Sequence, residues 1–178
     1  AKEVKKYLNV PIIFGGIHAI SVPEKVIQER CVDIVCVGEG EYPLLELCNS
    51  IQKGAMNYSI EGLWFKKNDV EIIKNPKRKQ IENIDELPMP DKDLFAEVVP
   101  IKNYYLAVTN RGCPYACTFC SVSYEGKENI KMGGKSFRER SVDKVIEELK
   151  INLGKYHYKW VDFRNSVLSA STEWTLEF

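Results

Sequence analysis

The sequence predicts an α/β protein, a doubly wound layer followed by the opening strand and helix units of a barrel or open sheet. Two short apolar runs, at 11–14 and 33–37, each end in a glycine turn and lead into an amphipathic helix, the pattern of a parallel sheet covered on both faces. A third run, Tyr104-Tyr-Leu-Ala-Val-Thr109, has strand composition and leads through a cysteine-bearing loop to another helix and strand.

The elements follow in order. Residues 1–8 are amphipathic at helical spacing. The strand at 11–14 ends in Gly15-Gly16, and Pro23 opens a helix to about residue 30 that Glu24 suits at its N-terminus. The strand at 33–37 is closed by Gly38-Glu39-Gly40-Glu41 and followed by a helix over 42–53 whose inward face is Leu44, Leu45, Leu47, Cys48 and Ile51. Residues 54–102 read as a connecting segment. It carries a β-hairpin, Gly62-Leu-Trp-Phe and Val70-Glu-Ile-Ile73 about a Lys66-Lys-Asn-Asp69 turn, and then Leu87-Pro-Met-Pro90, which excludes a helix. The basic group Lys74, Lys77, Arg78 and Lys79 reads as a solvated hairpin end rather than an RNA contact. From residue 103 a new α/β unit begins: strand, cysteine loop, a glycine-bearing stretch (Gly126, Gly133, Gly134) and a helix capped by Ser141 with Val142, Val145, Ile146 and Leu149 in register. A strand over 158–163 follows, and Ser171 or Thr172 caps a last helix. The divisions are thus 1–53, 54–102 and 103–178. Because the chain starts in one helical stretch and stops in another, it reads as a piece of something longer.

Composition narrows the function classes. Of 178 residues 44% are hydrophobic and 28% charged, ordinary for a packed core and unlike a disordered chain. Lys plus Arg (25) equals Asp plus Glu (25), so no overall field draws the chain to nucleic acid or to an anionic membrane. No run approaches the roughly 18 apolar residues of a membrane span, and no signal peptide is evident, which predicts a cytoplasmic protein with reduced cysteines. Hydrolytic catalysis has little support. There are two histidines and neither G-x-S-x-G nor H-E-x-x-H, and Asp91 and Asp93 read as helix-start or surface acids.

The sharpest signal is Arg111-Gly-Cys113-Pro-Tyr-Ala-Cys117-Thr-Phe-Cys120. Thiolates that converge on one inorganic core need short spacings on a turn, and Gly112 and Pro114 supply the turn chemistry. Three thiolates can hold three irons of a 4Fe-4S cube and leave the fourth open for chemistry; the alternatives are zinc completed by His157 or His18, although no second knuckle is present, and inert buried cysteines. Cys31, Cys36 and Cys48 lie in or beside apolar faces and read as small hydrophobes.

At Cys113, Cys117, Phe119 and Cys120 the sequence resembles the radical S-adenosylmethionine superfamily. The resemblance implies a partial TIM barrel beginning in 103–178 and a 4Fe-4S cluster on the three cysteines whose unique iron chelates the amino and carboxylate groups of S-adenosylmethionine. One-electron reduction, by a donor such as flavodoxin or ferredoxin, then gives methionine and a 5′-deoxyadenosyl radical, with Phe119 along the adenine. Arg138-Glu-Arg140-Ser141 and the helix after it also resemble the sequence that follows the cluster loop in many members; the two arginines read as exposed surface residues ahead of ligands for a carboxylate or phosphate.

Gly15-Gly16-Ile-His18-Ala19 taken alone is a tight strand-to-helix connection. Together with Val37-Gly-Glu-Gly-Glu41 and the cysteine loop, it resembles the second half of the cobalamin-binding, Rossmann-like domain that precedes the barrel in cobalamin-dependent radical S-adenosylmethionine enzymes. Residues 1–53 would then be the C-terminal part of that domain. The resemblance implies that Gly15 and Gly16 cradle the nucleotide tail of cobalamin, with Gly38, Glu39 and Gly40 in the same cofactor set. His18 is not the cobalt ligand of an Asp-x-His-x-x-Gly motif, since Gly16 and Ser21 stand where its Asp and Gly would be. Phe163-Arg-Asn-Ser166 likewise departs from the family's Phe-x-Asp-Asp.

The implied activity is methyl transfer from methylcobalamin to a carbon of a small-molecule substrate, with cyclisation or rearrangement in some relatives and no nucleic acid expected. A methylthiotransferase and a non-catalytic zinc module are the alternatives. The piece alone is expected to hold a cluster yet lack turnover, because two partial domains cannot exclude water from a radical.

Overall fold

Strands β1 (Ile13–Phe14) and β2 (Ile34–Cys36) pair in parallel, with Ile13 beside Ile34 and Phe14 beside Val35. The computed structural model in which they lie describes residues 1–68, 70–95, 97–98 and 103–178, which divide into two units, Ala1–Gln80 and Ile81–Phe178.

In the first unit α1 (Lys2–Tyr7) precedes β1, while α2 (Ile17–Ser21) and α3 (Pro23–Gln28) connect it to β2. Helix α4 (Glu41–Gln52) leads to a hairpin of β3 (Leu63–Lys66) and β4 (Ile72–Lys74), giving the sheet order β1-β2-β3-β4 with the last two pairings antiparallel. Strand periodicity sends Ile34, Cys36, Leu63 and Phe65 to one face, where Leu47 of α4 and Ile60 cover them. Val35 goes to the other face and meets Ala19, Val26, Ile27 and Val32. Asp33 locks the entry to β2, accepting from the Ile12 amide at 2.6 Å and pairing with Lys5 at 2.7 Å.

The second unit holds β5 (Tyr104–Ala107), β6 (Asn110–Gly112), α5 (Ser121–Lys131), β7 (Phe137–Glu139), α6 (Val142–Tyr156), β8 (Trp160–Phe163) and α7 (Thr172–Glu177). β5 and β8 are parallel; β6 and β7 are antiparallel. Tyr105, Ala107 and Tyr158 form a core with Leu149 of α6, and Val142, Val145 and Trp174 form a second. The Ser141 hydroxyl accepts from the Lys144 amide at 3.3 Å, and Ser171 rather than Thr172 caps α7, accepting from the Trp174 amide at 3.2 Å.

The structure differs from the sequence reading in identifiable places. The stretch 54–102 does not stand apart: its hairpin extends the first sheet, residues 54–80 belong to the first unit, and residue 81 onward belongs to the second. Residue 102, the expected end of that stretch, and Asp69 of the turn lie outside the described residues. The turn itself is shaped by Asn68, whose side chain accepts from the amides of Val70 and Glu71. On α4 the buried positions are Pro43 and Leu47, while Leu44, Leu45, Cys48 and Ile51 are exposed. Pro43 packs against Gly62 and Glu46 pairs with Arg78 at 2.6 Å, and these contacts turn the expected face outward, since one residue is about 100° of helix rotation. Ile13 and Phe14 are each 37% exposed, on a strand that among the described residues pairs with β2 alone. Of the basic group, Lys74 pairs with Glu24 and Arg78 with Glu46, so these charges are spent within the unit. Helix α5 and the pair β6–β7 had no counterpart in the expectation. Leu87 to Pro90 is indeed non-helical, lying after a 3-10 turn at Ile84–Glu86. Among the described residues no helix is long and apolar enough to cross a membrane.

Candidate functional site

Two glycine loops lie at the carboxyl ends of the parallel strands β1 and β2, where open α/β sheets bind ligands. Gly15 follows β1 directly, and the β1–β2 register carries it level with Cys36. Gly16 has φ +81 and Gly38 φ +132, a region that L side chains avoid, so the backbone demands glycine at both. Gly16 begins α2 and Gly40 begins α4. Leaving out chain neighbours, no atom among the described residues lies within 4 Å of where a Cβ on Gly16 would be, which leaves an open cradle that suits close approach of a ligand tail. Glu39 is half-buried between Gly38 and Gly40. Beneath these turns sits Cys36, whose Sγ donates to the carbonyls of Gly38 at 3.8 Å and Glu39 at 4.0 Å. Burial, and after it the charge of Glu41, raise its pKa above the ordinary thiol value, so it is a neutral packing group.

The cysteine loop runs from β6 to α5. Ser136 anchors it: its carbonyl accepts from the Cys113 amide at 3.0 Å, and its backbone passes between two glycines. Gly112 has φ +82, and a Cβ there would lie 2.0 Å from the Ser136 oxygen; a Cβ on Gly126 would lie 3.0 Å from the Ser136 Cβ. Gly126 is therefore a helical glycine at a close approach rather than a loop residue, which is why α5 escaped the sequence reading. At the far end the Cys120 amide donates to the Cys117 carbonyl at 3.3 Å, and Cys120 is the N-cap of α5.

Cys117 is exposed and Cys113 and Cys120 are half-buried; all three are free thiols. Phe119 is 91% exposed beside them. Soft thiol donors, three in number, unpaired and within reach of solvent, fit an iron-sulfur cluster in donor chemistry. They are not gathered around one point, because among the described residues no three His, Cys, Asp or Glu side chains form a group able to hold a metal ion. His157 is the left-handed C-cap of α6, its backbone amide donating to the Leu153 carbonyl, and His18 is an exposed residue of the first unit.

The arginines after the loop are not surface residues. Arg138 is buried and donates to the Ile81 carbonyl. Arg140 pairs with Glu148 at 2.5 Å and donates to the Val108 carbonyl at 3.1 Å, while the other Glu148 oxygen accepts from the Tyr105 hydroxyl at 2.7 Å. This buried network clamps the end of β5 to α6, and sequence reasoning missed it because Glu148 lies on the turn of α6 that also carries Leu149. Burial also raises the Glu139 carboxyl above the usual carboxylate range. A cavity of about 90 Å³ borders β6, walled by Leu87, Pro88 and Pro90 and by Asn110, Arg111 and Arg140. Asn165, which stands in place of an acid, donates from Nδ2 to the Thr109 hydroxyl at 2.8 Å and accepts from the Thr109 amide at 3.4 Å, tying β8 to β5.

No family model matches the chain. It is 35% identical over 178 residues to an uncharacterized methyltransferase of Pyrococcus horikoshii, covering 96% of this chain and 36% of that protein. It is 34% identical to a putative methylthiotransferase of Methanocaldococcus jannaschii (84% of this chain, 29% of that one) and 30% identical to the cobalamin-dependent radical SAM methyltransferase TokK of Streptomyces tokunonensis (67% and 19%). Two solved structures share the fold. One is the cobalamin-dependent S-adenosylmethionine radical enzyme OxsB with aqua-cobalamin and S-adenosylmethionine bound, at TM-score 0.66, 20% identity, 93% of this chain and 22% of that one. The other is the radical S-adenosylmethionine methyltransferase TsrM of Kitasatospora setae with cobalamin and a [4Fe-4S] cluster bound, at TM-score 0.66, 17% identity, 99% of this chain and 35% of that one. The chain thus spans between 19% and 36% of the length of these proteins.

Proposed function

We propose that the chain, which belongs to the cobalamin-dependent radical S-adenosylmethionine family, is the cofactor-binding middle of an enzyme that methylates a carbon of a small-molecule substrate. The observation that carries this reading is the cysteine loop: three free thiols at short spacing in the one loop that joins β6 to α5. When bound there, a 4Fe-4S cluster and S-adenosylmethionine supply a 5′-deoxyadenosyl radical at the expense of one electron from a flavodoxin or ferredoxin, and methylcobalamin supplies the methyl group.

The chain's own residues have plainer tasks. Cys113, Cys117 and Cys120 provide three thiolates and leave an iron position open. Phe119 offers a flat apolar face beside them for the adenine. Ser136, through the Cys113 amide and the close approach of Gly112 and Gly126, fixes where the loop starts. Gly15, Gly16, Gly38, Glu39 and Gly40 offer the backbone of two turns to the cobalamin tail.

Anaerobic reconstitution with iron and sulfide tests the reading. Wild-type chain should retain matched iron and sulfide, and Cys113→Ala, Cys117→Ala and Cys120→Ala should each lose them; retention in all three overturns it. Stable colourless zinc in aerobically purified wild type would instead identify a non-catalytic module. The 34% identity to a putative methylthiotransferase favours a second reading, in which sulfur is inserted along with the methyl group. Cobalamin binding by the wild type decides between them, since only the first reading requires it.

A further inference from the structure

The four glycines of the two turns divide by cause. Gly16 and Gly38 are imposed by positive φ. Gly15 and Gly40 are not, since neither has a positive φ, and φ at Gly40 is −96. A Cβ built on Gly15 would lie 3.6 Å from the Cys36 Cβ, and one built on Gly40 would lie 3.6 Å from the Cys36 Sγ, both ordinary contacts. Leaving out chain neighbours, Cys36 is the only residue within 4 Å of either position among the described residues. Folding therefore leaves room for a methyl group at 15 and at 40, yet both are bare, although glycine loses more entropy on folding than alanine does. Each empty position faces the same side chain.

We propose that Gly15 and Gly40 flank a slot whose floor is Cys36, and that Cys36 is a positioning residue: its small side chain sets how deep an entering cofactor tail can sit. The inference rests on the cobalamin reading above. Cys36 suits the task on three observations. It ends β2 and is 5% exposed, so it is held by the sheet; its Sγ reaches the carbonyls of Gly38 and Glu39, so it also sets the height of the second turn; and it adjoins Gly15, so one side chain touches both loops. A larger residue would fill the slot from below, and a methyl group on Gly40 would fill it from the side without a forbidden backbone angle.

The test is titration of the full chain with hydroxocobalamin, read as the dissociation constant and as the absorption spectrum of the bound corrinoid, beside the thermal midpoint of each variant. Cys36→Leu and Gly40→Ala should each weaken binding about tenfold or more, whereas the nearly isosteric Cys36→Ser should restore the wild-type constant and spectrum. Gly40→Ala guards against a folding artefact, because Cys36→Leu overfills a packed site and Gly40→Ala does not. Wild-type binding that Gly40→Ala or folded Cys36→Leu leaves unchanged overturns the slot and spares the cobalamin reading. Wild-type chain that does not bind hydroxocobalamin overturns both.

Discussion

The carbonyl oxygen of Ser136 occupies the place that a side chain on Gly112 would need: a Cβ there would lie 2.0 Å from it, and the same oxygen accepts from the amide of Cys113 at 3.0 Å. The first thiol of the cysteine loop is thus positioned by a contact that only glycine permits. Gly112→Ala should pay both the left-handed strain, about 1–2 kcal/mol, and displacement of the Ser136 backbone. Reconstituted Gly112→Ala should bind less iron than wild type while keeping all three cysteines; full iron content would show that the Ser136 contact does not position the loop.

Glu148 is 2% exposed and serves both Arg140 and Tyr105. Removing it strands a guanidinium and a phenol, and breaking such a buried pair typically costs about 3–5 kcal/mol. Glu148→Ala should lower the urea midpoint sharply, and Glu148→Gln, which keeps an acceptor for Tyr105, should lower it less. Equal midpoints for both variants would mean that the charge, not the hydrogen bonds, carries the effect.

Alkaline pH probes the same network. The Tyr105 hydroxyl is pushed above its ordinary value of 10.0, first by burial and then by its hydrogen bond to and the charge of Glu148; Tyr158 is raised by burial and then by Glu148. Both folded pKa values are raised, so their contribution to stability is complete below pH 10 and is lost as pH rises above it, where the unfolded chain ionises first. Stability should fall from about pH 10 upward, and Tyr105→Phe should flatten that fall. An unchanged slope in Tyr105→Phe would place the alkaline sensitivity elsewhere.

Asn165 both donates to and accepts from Thr109, which a carboxylate cannot do. Asn165→Asp should therefore loosen the joint between β5 and β8, and Thr109 amide protection in hydrogen exchange should drop. Undiminished protection would show that the Thr109 hydroxyl has turned to donate and that the position tolerates the acid.

Much of this architecture was legible because its signals are local. Helix α6 follows from the spacing of Val142, Val145, Ile146 and Leu149 behind a Ser141 cap, and the β3–β4 hairpin from alternation about a polar turn. The cysteine loop and the two glycine turns were likewise readable as short spacings. What was hidden depends on neighbours distant in sequence. Gly126 is a loop residue by propensity and a helix residue only because Ser136 packs against it; the outward turn of Leu44 and Cys48 follows from Pro43 meeting Gly62; and Cys36, an ordinary buried thiol in sequence, meets both glycine loops only through the β1–β2 register. Arg140 looked like a surface charge because its partner Glu148 lies inside α6, brought to it only when the helix packs on β5.

The central claim is that Cys113, Cys117 and Cys120 hold a cluster with one open iron. Electron paramagnetic resonance of the anaerobically reconstituted, reduced chain, recorded with and without S-adenosylmethionine, tests it most directly. The account predicts a 4Fe-4S signal whose shape changes when S-adenosylmethionine is added and which is absent from the three cysteine variants. A reconstituted, folded chain that gives no cluster signal, or a signal indifferent to S-adenosylmethionine, would contradict it.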